Sequence, residues 1–249
     1  MGVNPVASVS KSLVFFALIL RTVLFAFFAF LIAGFFSILN LPNPWDTYVN
    51  WWVYQATFAS LLTIPILLWL LKRENINYIE FIGFKKERLG KDLILALGYG
   101  VLGLVFGGIG LYGSAFLIYG GMPPETMFAP LPMWGVIPAL AIMPLSVAAV
   151  EAPLYIGYAL PRLQKILHSK NLAILIASFA LAFQHIALPL IFELDFMLWR
   201  VVSFIPVALL LAIIFMKTRR LFPLMIAFFN GLASDDNYFN ILTLIHVYD

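Results

Sequence analysis

Apolar residues occupy this chain in long blocks, and most of the polar residues fall in short stretches between them. Blocks at about 12–41, 47–71, 92–118, 133–160, 171–190, 196–216 and 221–240 are each long enough, or nearly so, to cross the ~30 Å hydrocarbon core of a bilayer as an α-helix. The pattern predicts an all-α fold, a polytopic transmembrane bundle of about seven spanning helices. The first block is too long for the apolar core of a signal peptide and no cleavage site follows a short core, so it is expected to remain as a helix.

Composition strengthens this reading: 63% of residues are hydrophobic and only 11% charged, with mean hydropathy +1.00, far from soluble averages. Seven spans in 249 residues leave no room for a sizeable soluble domain, so residues 1–249 are read as one membrane-embedded domain. The net charge of +3 does not indicate nucleic acid, because the basic residues gather at block ends. Residues 1–11, 72–91, 161–170 and 217–220 hold thirteen of the fifteen Lys and Arg, whereas 42–46, 119–132, 191–195 and the C-terminal tail hold none. This alternation predicts an N-terminus inside and a C-terminus outside, in a multi-pass protein of the cell membrane whose surroundings are the lipid bilayer. The chain has no cysteine, which excludes disulfides, thiolate metal sites and a cysteine nucleophile.

Three stretches stand out from the blocks. KRENINYIEFIGFKKERLGKD, between the second and third blocks, mixes both charge signs with Ile76, Tyr78, Ile79, Phe81, Ile82 and Phe84 and reads as an interfacial amphipathic anchor. The third block is rich in glycine, with a small-xxx-small spacing at Gly103 and Gly107 that predicts close helix packing. The Pro-rich loop YGGMPPETMFAPLP is read as irregular, a lid or a connector.

Polar side chains within the blocks are few. Arg21 and Arg200 lie inside the first and sixth, and Arg200 is expected either to pair with Glu193 or Asp195 or to snorkel to the headgroups. Glu151 lies in AAVEAPLYIGYALPRLQ, where an intramembrane acid costs about 2.5–3.5 kcal/mol on insertion scales and so needs a partner or a task. Counted from the basic end of each block, Glu151 lies roughly 16 Å deep, Asn230 about 15 Å and His185 about 22 Å, at ~1.5 Å per residue. An acid, an imidazole and an amide thus come to similar depth. Pro153 displaces the Ala149 carbonyl from the helical ladder and frees an acceptor beside Glu151.

The stretch EAPLYIGYALPRLQ resembles the first motif of the CAAX protease and bacteriocin-processing family of intramembrane endopeptidases, whose usual form is EExxxRGYLLPRL. LAFQHIALPL is similar to the second motif, FxxxH followed by Leu or Ile and Pro, and IAFFN to the third, HxxxN or HxxxD. The resemblance spans about 133–235, a core that follows helices one to three in residues 1–132. It implies catalytic roles for Glu151 and His185 in activating water and for Asn230 in stabilising the oxyanion. It also implies a membrane-anchored or prenylated peptide or protein as substrate. Ala152 and Ile156 stand where the family has its second glutamate and arginine, Leu181 stands for the phenylalanine, and Ile226 for the second histidine. The family has been described both as metalloproteases and as glutamate proteases. Glu151, His185 and Asp235 make a poor zinc set, so neither a metal nor another cofactor is expected. The departures leave a second reading open, a catalytically impaired binding or assembly protein; a transporter is a third, disfavoured by the lack of paired broken helices.

Overall fold

A computed structural model describes residues 10–124 and 131–233. Among these residues the secondary structure is helical: α1 Lys11–Ile38, α2 Pro44–Asn50, α3 Trp52–Lys72, α4 Tyr78–Ile82, α5 Leu89–Tyr119, α6 Met133–Ala152, α7 Leu160–Leu167, α8 Lys170–Phe183, α9 Leu194–Thr218 and α10 Phe222–Ala233. A π-helical segment, Pro153–Ala159, joins α6 to α7, and a 3-10 turn, Gln184–Ala187, follows α8. Six helical stretches among the described residues are long and apolar enough to cross a membrane, and the protein is an integral membrane protein. The seventh block begins on α10, and its remainder lies outside the described residues, as do residues 125–130 of the Pro-rich loop.

Short-range chemistry sets the ends of several helices. The Asn77 side chain accepts from the Ile79 amide at 2.8 Å to start α4, and Ser169 accepts from Leu172 at 3.3 Å to start α8. Gly83 and Gly120, at φ 72° and 68°, turn the chain out of α4 and α5 in the left-handed region where a Cβ is disfavoured.

Helix contacts close into a ring. α1 packs on α3, α3 on α6, α6 on α10, α10 on α5, α5 on α9, α9 on α8, and α8 returns to α1. The π-helical segment occupies the middle, touching α1, α6, α7, α8 and α9, and each of its seven residues is buried. Such a segment follows from Pro153, which cannot take its place in a regular i to i−4 ladder. The Ala149 carbonyl that the proline ring displaces accepts from the Tyr78 hydroxyl at 2.7 Å. Tyr78 belongs to the stretch expected to be an interfacial anchor. Beyond that expectation, α4 also packs into the bundle: Phe81 lies so close to Gly157 that an added Cβ there would come within 2.7 Å of its ring, while Ile79 and Phe84 stay exposed.

The glycine expectation, by contrast, is corrected. An added Cβ at Gly103 or Gly107 would meet nothing within 4 Å, so the small-xxx-small pair is not the packing seam in this chain. The close approach is one turn further on, where a Cβ at Gly110 would run into the backbone carbonyl of Ser203. α5 is the least enclosed of the spans among the described residues, with only Asp92, Ala96, Gly110, Ser114 and Ala115 buried. Glycine serves there to admit α9 at one point.

Candidate active site

Glu151 ends the α6 ladder just before the π-helical segment and is 2% exposed. Its partner comes from the other end of the chain: Arg21 of α1, fully buried, donates from Nη2 to Glu151 Oε2 at 3.1 Å. The same guanidinium donates from Nε to Gln184 Oε1 at 2.7 Å and from Nη1 to Ser60 Oγ at 3.1 Å. Four elements therefore meet on one cation: α1, α3, the end of α6 and the 3-10 turn. The Tyr155 hydroxyl, from the π-helical segment, adds a 3.4 Å contact to Gln184 Oε1. Arginine suits this position because its planar fork can serve several acceptors at once.

The cluster is incompletely satisfied. Among the described residues three buried side-chain polar atoms make no hydrogen bond of full geometry, and two of them, Glu151 Oε1 and Gln184 Nε2, belong to this cluster, where the Gln184 side chain lies against the carboxylate as a weak donor. Leaving such an atom unpaired costs about 1–3 kcal/mol, more on a charged group. One is an acceptor and the other a donor, on side chains that share the Nε/Nη2 edge of Arg21.

His185 follows Gln184 on the 3-10 turn and is 4% exposed. Its ring stacks on Phe204 of α9, with centroids 3.4 Å apart and planes 10° apart. Nδ1 lies 3.1 Å from the Leu181 carbonyl and 3.3 Å from that of Ala182. Both are acceptors, so Nδ1 carries the hydrogen and Nε2 presents the lone pair. Glu151 and His185 are linked through Gln184 and Arg21, not by a hydrogen bond of their own. Asn230 falls on α10, which packs on α5 and α6, and its side chain lies outside the described residues, as does Asp235.

Arg200 behaves in neither expected way. Its guanidinium is buried and donates from Nε and Nη2 to the Leu188 carbonyl at 3.0 and 2.7 Å, and among the described ion pairs none joins it to Glu193 or Asp195. The carbonyl at the end of the His185 turn holds it in place, with the Phe204 ring 5.1 Å from the guanidinium carbon. A second arginine thus braces the histidine-bearing turn from α9.

At the Lys/Arg-rich end of the bundle, Arg162 of the LPRL sequence grips Glu74 with both arms of its fork. Nε donates to Oε1 at 2.8 Å and Nη2 to Oε2, while Nη1 donates to the Tyr158 carbonyl at 2.7 Å. Arg220 pairs with Asp92 beside it.

Sequence reasoning singled out Glu151 and His185 but missed Arg21 as a partner and Gln184 altogether. The same depth ruler was available for Arg21: it lies ten residues beyond Lys11, or about 15 Å, level with Glu151. Among the described residues no group of three His, Asp or Glu side chains could hold a metal ion. Glu151 Oε2 already faces a guanidinium, so this donor set does not fit a divalent cation.

Residues 133–230 match the family model described as Type II CAAX prenyl endopeptidase Rce1-like, consistent with the CAAX protease and bacteriocin-processing family. The matched stretch holds Glu151, the π-helical segment, Gln184, His185 and Asn230, and leaves out Arg21 and Ser60. No curated protein and no solved structure matches the chain.

Proposed function

We propose that this protein is an intramembrane endopeptidase that hydrolyses a peptide bond in a membrane-anchored or prenylated substrate, with its N-terminus and basic connections on the inner side of the cell membrane. The observation that carries the proposal is the state of Glu151: a buried carboxylate that Arg21 grips through Oε2 alone, leaving Oε1 outside the ion pair. It lies within the stretch that matches a family of peptide-cleaving enzymes. A carboxylate oxygen of this kind is a proton acceptor. In the reaction, water gives a proton to Oε1 as its oxygen bonds to the peptide carbonyl carbon. The C–N bond then breaks, and the proton passes to the departing amine. The His185 Nε2 lone pair is the second acceptor for water, and Asn230 is assigned to the oxyanion.

The test is cleavage of a panel of membrane-anchored and prenylated peptides by purified protein in nanodiscs. The expected result is turnover by the wild type and a loss of about 10²–10⁴-fold in Glu151→Gln, with the neutral pair Arg21→Gln/Glu151→Gln equally inactive and folded. Equal cleavage by wild type and Glu151→Gln removes Glu151 from the mechanism. A specific observation favours a second reading: Ala152 and Ile156 are fully buried in the apolar core, so the positions where the family carries charges are built for packing. On that reading the protein is a binding or assembly factor, identified by normal folding without turnover of any peptide in the panel.

A further inference from the structure

Beside the turn that carries Glu151, α3, α4 and α6 border a cleft of about 150 Å³ lined by Ile64, Leu67, Leu68, Tyr78, Ala149 and Val150. None of these side chains is charged. The Tyr78 hydroxyl, the one polar side-chain group in the wall, is bonded to the Ala149 carbonyl, so the cleft offers little to water and suits hydrocarbon. Leu68, 43% exposed, marks its open side. Its neighbours fix its depth. Trp69 is exposed, and the Arg73 guanidinium carbon lies 5.1 Å from the centroid of its ring, an aromatic and a cation of the kind that gather at the headgroup level. The cleft therefore opens just below the headgroups of the leaflet at the Lys/Arg-rich end.

A cation stands over that opening. Lys72 follows Leu68 by four residues and Ile64 by eight, so the three share one face of α3, with Lys72 about 6 Å nearer the water than Leu68 at ~1.5 Å per residue. It is exposed, and among the described ion pairs its ammonium takes part in none. The acids nearby in the chain do not answer it: Glu74 holds Arg162, and Glu80, two positions from Tyr78, falls on another side of α4.

We propose that this cleft is a binding site for an anionic phospholipid of that leaflet, with one acyl chain lying between α3, α4 and α6 and the phosphate on Lys72. An apolar slot and a cation aligned along one helix face match the two ends of such a molecule. Ala149 and Val150, in the wall, immediately precede Glu151. A bound chain thus packs on the turn that carries the acid, and on the tyrosine ring whose hydroxyl ties that turn to α4. The site stands whether or not the protein cleaves peptides.

The test is lipid retention by the full chain in native mass spectrometry, titrated in detergent with dioleoylphosphatidylglycerol or dioleoylphosphatidylcholine. The expected result is one tightly held phosphatidylglycerol, favoured over phosphatidylcholine about fivefold, the effect of one lysine at an anionic headgroup. Lys72→Gln should abolish that preference, whereas Lys91→Gln, which removes an exposed cation at the start of α5, should leave it intact. Ile64→Phe should expel the lipid by filling the cleft; should it fail to fold, Leu68→Trp at the exposed mouth takes its place. Equal retention of the two lipids by the wild type, a preference that survives Lys72→Gln, or undiminished retention in the filled cleft each overturns the proposal. Displacement of the phosphatidylglycerol by a farnesylated peptide at equal concentration assigns the cleft to a substrate's tail and overturns it as well.

Discussion

Two arginine–glutamate pairs, one at the centre of the bundle and one at its basic end, are built from the same residue types to opposite effect. Arg162 and Glu74 meet fork to fork, with both carboxylate oxygens bonded and the Glu74 side chain 16% exposed. Arg21 and Glu151 meet through one oxygen only, and the other lies outside the guanidinium's grip. The outer pair is complete and needs nothing more from the protein. The inner pair is divided among too many acceptors to be complete: Gln184 takes Nε and Ser60 takes Nη1, so one Nη remains for the carboxylate. A pair selected for stability alone would take the fork-to-fork form, which gives more charge-assisted bonding for the same desolvation. The inner arrangement shares one guanidinium among three side chains and leaves one carboxylate oxygen outside the ion pair.

Breaking the inner pair should therefore have the largest effect on the fold. Arg21→Ala leaves Glu151 buried without its counter-charge, and a loss of about 3–5 kcal/mol is expected, read as a fall in unfolding temperature in one fixed detergent. The apolar pair Arg21→Met/Glu151→Leu should recover most of that stability while cleaving nothing. Wild-type stability in Arg21→Ala would mean that the contrast between the two pairs is not energetic.

Next in size comes a site remote from both pairs. Gly110→Ala drives a Cβ into the Ser203 carbonyl and must push α5 away from α9, which carries the Phe204 and Arg200 that brace His185. Overpacking of this kind costs about 1–3 kcal/mol. Both stability and turnover should fall, whereas Gly103→Ala, with open space around it, should leave both unchanged.

How much of this was visible beforehand depends on the range of each signal. The helices were legible because apolar blocks fix them locally, and Pro153 announced the displaced Ala149 carbonyl because a proline acts on a residue four positions away. The partner of that carbonyl, Tyr78, was not legible, since nothing in an amphipathic stretch says whether its aromatic face meets lipid or protein. Arg21 and Glu151 stand 130 positions apart, and only charge balance at equal depth joins them. The motif comparison pointed elsewhere, to Ala152 and Ile156, where the family's charges are missing. Gln184 was hidden beside the more conspicuous His185, and nothing local marks it as a partner of Arg21.

Of the two pairs, the complete one should matter less when broken. Glu74→Gln keeps acceptor and shape at a partly exposed position, and a loss of about 1 kcal/mol or less is expected, with turnover unchanged. A fall in turnover comparable to that of Glu151→Gln would abolish the distinction between the two pairs, because it would place the basic end of the bundle within the catalytic machinery.

The smallest change tests whether the two regions are connected at all. Tyr78 begins α4, four residues after Glu74, and its hydroxyl bonds the Ala149 carbonyl two residues before Glu151. It is thus a direct link from the basic end to the helix that carries the central acid. Tyr78→Phe removes one oxygen, leaves the ring in place, and strands the carbonyl that Pro153 has already taken from the helix. A neutral hydrogen bond is worth about 0.5–1.5 kcal/mol, so the expected fall in stability lies within that range. Any loosening would fall on the last turn of α6, which aims the Glu151 carboxylate at Arg21. We expect kcat to drop a few-fold with KM unchanged, since the contact concerns the geometry of the acid and not the binding of a peptide. Tyr78→Phe with lowered stability and wild-type kcat would show that the link only holds α4 to the bundle, and that the central cluster keeps its geometry through Arg21 alone.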